Sequence, residues 1–187
     1  KQMTTGEGGM IVTNSKEIYD LCNSMRNQGR GDSGDWLVHE RLGYNYRMDE
    51  MSASLGITQL KKLDWMIGEK RKIASWYNDA LKNIPGVETP RVGKDRTHSW
   101  FVYVIRIKNK KRDKMMIELG RRGIKTKPYL PVIHLQPFMR KLFGFKKGDY
   151  SIAEKISSET LALPLYIGLE QKDVRYISRK MGDILNG

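Results

Sequence analysis

Lys1 opens the run Lys1-Gln2-Met3-Thr4-Thr5-Gly6-Glu7-Gly8-Gly9-Met10-Ile11-Val12-Thr13, which places a primary amine just before a glycine-rich turn. A primary amine can hold an aldehyde-bearing cofactor covalently and can afterwards carry a proton. It must be unprotonated to attack, a state favoured by a nearby cation or a dry pocket. Glycines beside it let a flat ring approach the backbone closely. On spacing alone, the plainer reading of an exposed terminal lysine prevails. Elsewhere the reactive residue types are isolated. Cys22 falls on the apolar stripe of a predicted helix and reads as a small core residue rather than a thiolate nucleophile. His39 and His98 have no partners at metal-ligand spacing. Taken singly, His134 reads as a satisfied surface imidazole, and Asn45 as a turn residue tolerant of left-handed backbone.

The elements that must position these residues alternate between strand and helix, which indicates an α/β fold. Met10-Ile11-Val12-Thr13 predicts a short buried strand. Asn14 predicts an N-cap with Glu17 as capping-box partner, and Ile18, Leu21, Cys22 and Met25 follow at helical spacing. From Arg30 to Asn45 there is no steady period, and Gly31, Gly34 and Gly43 follow Gly29, so a long functional loop is expected. Asp49-Glu50 begins a second helix, whose Ser52, Ala53, Ser54 and Gly56 form a small face open to close approach by another backbone. Ile73, Trp76, Tyr77, Ala80, Leu81 and Ile84 form a helical stripe that Pro85-Gly86 stops.

Beyond that point Val87 to Thr97 reads as a connector and Trp100 to Ile107 as a strand. A helix around Met115 to Leu119, capped by Asp113, ends at Gly123. A strand Ile124 to Lys127 and the loop Tyr129 to Pro137 follow. Then come a short helix and a helix with a Ser151-to-Glu154 capping box. Val174, Ile177, Met181 and Ile184 mark the last helix.

The chain has 187 residues, 39% of them hydrophobic and 29% charged, a globular composition. No apolar run is long enough to cross a bilayer. The single cysteine can make no internal disulfide, which suits a reducing, cytoplasmic compartment. The net charge of +13 favours anionic partners. The 34 Lys and Arg are spread along the chain, and the densest cluster, Lys108 to Arg112, reads as solvated surface.

Several segments occur together and in order: the Lys1 to Thr13 run, Arg26-Asn27-Gln28-Gly29-Arg30, Leu42-Gly43-Tyr44-Asn45-Tyr46-Arg47-Met48-Asp49-Glu50, Gln59-Leu60, Pro131-Val132-Ile133-His134-Leu135-Gln136-Pro137 and Leu161-Ala162-Leu163-Pro164-Leu165. This set resembles the sugar-nucleotide aminotransferases, the DegT-like branch of the fold-type-I pyridoxal phosphate enzymes, along essentially the whole chain. At the position of Gln28 the family more often has histidine. The resemblance implies that Lys1 is the Schiff-base lysine and proton shuttle, bound to pyridoxal 5'-phosphate. A related subgroup with histidine there carries out dehydration, so Lys1 favours transamination.

The resemblance also implies a homodimer with its active site at the interface, in which Asn45 reaches the cofactor phosphate of the partner subunit. A side-chain amide suits that task because it donates without adding charge. Arg30, Arg47, Tyr129 and His134 are implied to contact the substrate, a nucleotide-linked keto sugar, with glutamate as amino donor. Either arginine could equally bind a loop carboxylate. No metal site is implied. Residues 1–84 are expected to be the remnant of a large cofactor domain with its long connecting helix. Residues 85–187 are expected to form a small C-terminal domain of strands packed with helices.

Family members are considerably longer, so the chain is expected to be a C-terminal portion. The aspartate that pairs with the pyridine nitrogen would lie upstream, and without it the ring is a poor electron sink. The 187 residues alone are expected neither to bind cofactor tightly nor to turn over; a strong borohydride-trapped adduct at Lys1 of the isolated chain would contradict this. A basic regulatory or nucleic-acid-binding module is the alternative of another class. Its signatures (helix-turn-helix, zinc finger, RNA-binding motifs) are missing and its cations are dispersed. A sugar dehydratase on the same scaffold is disfavoured by Lys1.

Overall fold

Along Tyr103–Ile107 the side chains alternate between buried and half-buried, as a strand with one covered face requires. In the computed structural model, which describes residues 1–31, 37–109 and 111–186, this strand (β2) is central to a four-stranded antiparallel sheet of order β1-β2-β4-β3. The edge strands are β1 (Val87–Glu88) and β3 (Lys127–Pro128), and β4 (Thr160–Leu163) pairs with β2 from Tyr103↔Leu163 to Arg106↔Thr160. Gly34 of the long loop and Lys110 of the basic cluster lie outside the described residues.

The sheet belongs to a unit formed by Asp64–Gly187 together with Lys1–Gln2. Helix α3 (Leu63–Leu81) carries the predicted stripe as far as Leu81, with Ile84 beyond its end, and buries Ile73, Ala74, Tyr77 and Leu81 in the core of this unit. Tyr103, Ile105 and Ile107 of β2, Leu161 and Leu163 of β4, and Met115 and Leu119 of α4 (Arg112–Arg121) join them. Helix α7 (Gln171–Asn186) adds Val174, Ile177, Met181 and Ile184, the four residues its period marked. Each such side chain removed from water contributes about 1.5–3 kcal/mol. Tyr77 and Tyr103 stack at 4.8 Å and are satisfied where they are buried. Tyr77 Oη donates to the Pro164 carbonyl at 3.0 Å and Tyr103 Oη to Asn78 Oδ1 at 2.6 Å. Burial pushes both phenols well above their ordinary pKa.

Met3–Leu63 forms a separate unit with two helices, α1 (Lys16–Arg26) and α2 (Glu50–Lys61). Asp49 caps α2 as predicted, accepting from Ser52 N at 2.9 Å and Ser52 Oγ at 2.7 Å. These bonds hold the Asp49 carboxyl below its usual range. On the small face of α2 a side-chain methyl, not another backbone, makes the approach: Thr5 Cγ2 lies 3.0 Å from where a Cβ on Gly56 would sit.

Several expectations are corrected. Met10 to Thr13 is not a strand; Met10 is 80% and Val12 89% exposed. A run of four residues specifies a strand only through a neighbour's ladder, and none of the described residues supplies one. The cap of α1 is Ser15, not Asn14, with Ser15 Oγ accepting from Ile18 N at 3.3 Å. The stripe Ile18, Leu21 and Met25 is exposed, and Ser24 is the buried residue of α1. Asp113 does not cap α4: the helix starts at Arg112, the cap position falls on Lys111, and Asp113 lies in the first turn, paired with Arg112 at 2.6 Å. The strand read from Trp100 begins at Tyr103, since Trp100 is left-handed at φ 53°. The strand read as Ile124 to Lys127 is Lys127–Pro128. Helix α6 (Ser151–Glu159) has no side-chain cap; Glu154 is engaged elsewhere.

Candidate active site

Two of the quoted motifs are one structure. The segment 44–46 returns antiparallel beside the end of α1. Gln28 N donates to the Tyr44 carbonyl at 2.8 Å, Tyr44 N to Met25 at 2.6 Å and Tyr46 N to Arg26 at 2.8 Å. Gly29, left-handed at φ 77°, and Gly43 make the closest approach of backbone to backbone. A Cβ on Gly29 would fall 1.8 Å from the Arg41 carbonyl oxygen, and one on Gly43 would fall 2.0 Å from Gly29 N. Only glycine fits such contacts, so their spacing reflects the pairing of two segments.

This zipper sets the amide of Asn45. Arg47 Nε donates to Asn45 Oδ1 at 3.1 Å, while Arg47 Nη1 donates to Asn27 Oδ1 at 3.2 Å. With its oxygen fixed by a guanidinium, Asn45 turns its two N–H donors the other way. Nothing among the described residues accepts from them. The Asn27 contribution has a sequence signal, since Asn27 and Asn45 each lie inside a quoted motif, but only pairing shows that they meet. Arg30 sits on the same zipper, where its backbone bridges to His39. His39 Nδ1 donates to the Gln28 carbonyl at 2.9 Å, which makes it a structural residue.

Lys1 belongs to the other unit. Its side chain is exposed, and no hydrogen bond or ion pair engages its Nζ among the described residues. Its backbone, by contrast, is held: Lys70 Nζ donates to the Lys1 carbonyl at 3.1 Å and to Gln2 Oε1 at 3.0 Å, and Gln2 Nε2 donates to the Ser99 carbonyl. Lys70 lies on the buried face of α3, and desolvation depresses its pKa. Sequence reading missed Lys70, because a lysine on a helix reads as surface.

His134 and Tyr129 share a loop but not a contact. The loop contains a single 3-10 turn, Ile133–Leu135, followed by α5 (Pro137–Phe143). His134 is only 7% exposed, so it is not the surface imidazole expected of it alone. Its Nε2 is 2.9 Å from Glu154 Oε1, which also accepts from Gly148 N at 2.8 Å. The Gly148 amide first, then His134, holds the Glu154 carboxyl below its ordinary range. The rings of Tyr150 and Phe145 enclose the imidazole at 4.8 and 6.3 Å. Tyr129 is half-buried and meets the edge of Phe101 at 6.1 Å.

The structure thus brings Asn45 and Arg47 together, places Arg30 on their zipper, and holds Lys1, Tyr129 and His134 in the other unit. A concavity of about 660 Å³ elsewhere is lined by none of the six. There Arg106 is already paired with Glu88 at 2.9 Å and Glu159 at 2.5 Å. Among the described residues no group of three or more His, Cys, Asp or Glu could hold a metal, and no helix is long and apolar enough to cross a membrane.

The chain belongs to the DegT/DnrJ/EryC1/StrS aminotransferase family, which it matches over residues 1–182. It is 33% identical over its whole length to the spore coat polysaccharide biosynthesis protein SpsC of Bacillus subtilis, covering 52% of that protein. It is 32% identical to a GDP-perosamine synthase of Escherichia coli O157:H7, with 98% of this chain and 49% of that one aligned. The crystal structure of S. venezuelae DesV in complex with a ketimine intermediate superposes with a TM-score of 0.83 at 28% identity, covering 92% of this chain and 45% of that one. The chain spans about half the length of the curated relatives it matches.

Proposed function

We propose that this chain provides the Lys1-bearing part of a pyridoxal-phosphate-dependent aminotransferase acting on a nucleotide-linked keto sugar. Glutamate is the amino donor, and the enzyme is a cytoplasmic homodimer. The observation that carries the reading is a primary amine with no partner among the described residues, on a main chain fixed by a buried lysine. The chemistry of the donors fits the cofactor: an amine for its aldehyde and an uncharged double donor for its phosphate. When bound, pyridoxal phosphate supplies the aldehyde for attachment and an electron-poor ring that stabilises negative charge at carbon.

Every other step falls to the protein. Lys1 holds the cofactor between turnovers and moves a proton at the carbon bearing the transferred nitrogen. Asn45, aimed by Arg47 and through it by Asn27, donates to a phosphate oxygen. Arg30 and Arg47 add positive charge toward the nucleotide, and Tyr129 offers a hydroxyl. His134 has Nε2 committed to Glu154, so it presents Nδ1 to a substrate oxygen and steadies the loop that carries Tyr129. In this reading residues 1–84 complete the cofactor domain and 85–187 form the small one. Helix α3 then connects them, with its stripe built into the core beside the sheet.

The test is Lys1→Ala in the natural protein that carries this chain, assayed for amino transfer from glutamate to nucleotide keto sugars. The expected loss exceeds about a thousandfold, because nucleophile and proton carrier vanish together. Turnover within about tenfold of wild type would overturn the proposal.

A further inference from the structure

Helix α3 buries one continuous face, and one member of that face is a cation. Met66, Lys70, Ile73, Ala74, Tyr77 and Leu81 recur at helical spacing, yet the second carries an ammonium group and is only 8% exposed. A buried charge is costly unless it is hydrogen-bonded. No carboxylate pairs with Lys70 among the described residues; its recorded acceptors are the Lys1 carbonyl at 3.1 Å and Gln2 Oε1 at 3.0 Å. The cost of burying this cation therefore goes into holding the first two residues.

The hold has a second side. Gln2 Nε2 reaches the Ser99 carbonyl, and Ser99 adjoins Trp100, which is buried in the core. Trp100 stacks on Tyr103 at 5.6 Å, and its backbone N–H donates to His98 Nδ1 at 2.8 Å. The backbone of Lys1 is thus gripped between α3 and a segment anchored in the hydrophobic core. With its carbonyl fixed, the side chain of Lys1 starts from a fixed Cα and sweeps a smaller volume.

Resting on the assignment of Lys1 above, we propose that Lys70 is a positioning residue for the reactive amine. It fixes the main chain of Lys1 through a direct bond to its carbonyl and a relay through Gln2. A displacement of about 1 Å in a reacting group can cost about 100-fold in rate, so loosening this anchor acts on the chemical step more than on substrate affinity.

The experiment compares Lys70→Met, Lys70→Arg and Gln2→Ala with wild type in the natural protein. Hydrogen exchange at residues 2–5 is read without cofactor, and kcat and KM for the nucleotide sugar are read with it. Lys70→Met is expected to speed exchange at residues 2–5 and to lower kcat by about tenfold to 100-fold, with KM within about twofold. Lys70→Arg, which keeps a donor, restores most of both. Gln2→Ala breaks the relay while leaving the lysine, and reproduces part of the effect even where Lys70→Met fails to fold. Unchanged exchange and kcat in both Lys70→Met and Gln2→Ala would overturn the inference, as would a loss in KM alone. If Lys1→Ala retains turnover while exchange still responds to Lys70, the function assigned to Lys1 fails and the anchor stands as structure only.

Discussion

At the scale of single residues the site depends on how three side chains share their hydrogen bonds. Asn45 could face either way, and Arg47 decides, because a guanidinium only donates and so selects the amide oxygen. Asn27 holds Arg47 in turn. The neutral amide suits a doubly charged phosphate, and replacing it with a carboxylate sets like charges against each other. Asn45→Asp is therefore expected to weaken cofactor affinity by at least about tenfold, or about 1.4 kcal/mol, measured by titrating the apo protein with pyridoxal phosphate. Affinity within about twofold of wild type would remove Asn45 from the phosphate site. The amine type of Lys1 and the amide type of Asn45 were legible in the sequence. The orientation of Asn45 and the grip of Lys70 were not, because each depends on a partner brought near by folding.

At the scale of elements, two loops carry candidate residues other than Lys1, and each is held by a different device. The Gln28 to Arg47 zipper depends on the Gly29–Gly43 crossing, where an added methyl meets backbone that cannot swing aside. Gly29→Ala also faces strain at φ 77°. It is expected to destabilise its unit by on the order of 1–3 kcal/mol, seen as a lower chemical-denaturation midpoint and earlier exchange at Tyr44 and Tyr46. An unchanged midpoint would contradict the crossing.

The loop from Ile133 to Tyr150 depends on Glu154. Its carboxyl titrates lower in the folded protein than its ordinary 4.5, mainly through the Gly148 amide and then His134. Its stabilising contribution is therefore full above 4.5 and is lost as the pH falls through the lower folded value. Protection of the Gly148 amide from exchange is expected to drop on acidification below 4.5. Glu154→Gln is expected to abolish that step. A step that persists in Glu154→Gln would assign it to another group.

At the scale of the whole molecule, the parts that were legible are those that the chain specifies locally. The α3 and α7 stripes follow a 3.6-residue period, and the buried faces matched it. Strands β1 and β4 went unread because two and four residues carry no period; their pairing with β2 defines them. Met10 to Thr13 failed for the converse reason, a strand-like run without a ladder among the described residues. The Lys1 to Thr13 run was legible as a motif, although the chemistry proposed for it rests on a single amine.

That amine can be tested directly by peptide mapping of the natural protein. It would be incubated with pyridoxal phosphate, reduced with borohydride and digested. One dominant pyridoxyl-modified lysine is expected, located at Lys1 and lost on prior incubation with glutamate, which would convert the cofactor and free the lysine. Modification concentrated on any other lysine, or spread evenly over the surface with Lys1 unmodified, would contradict it.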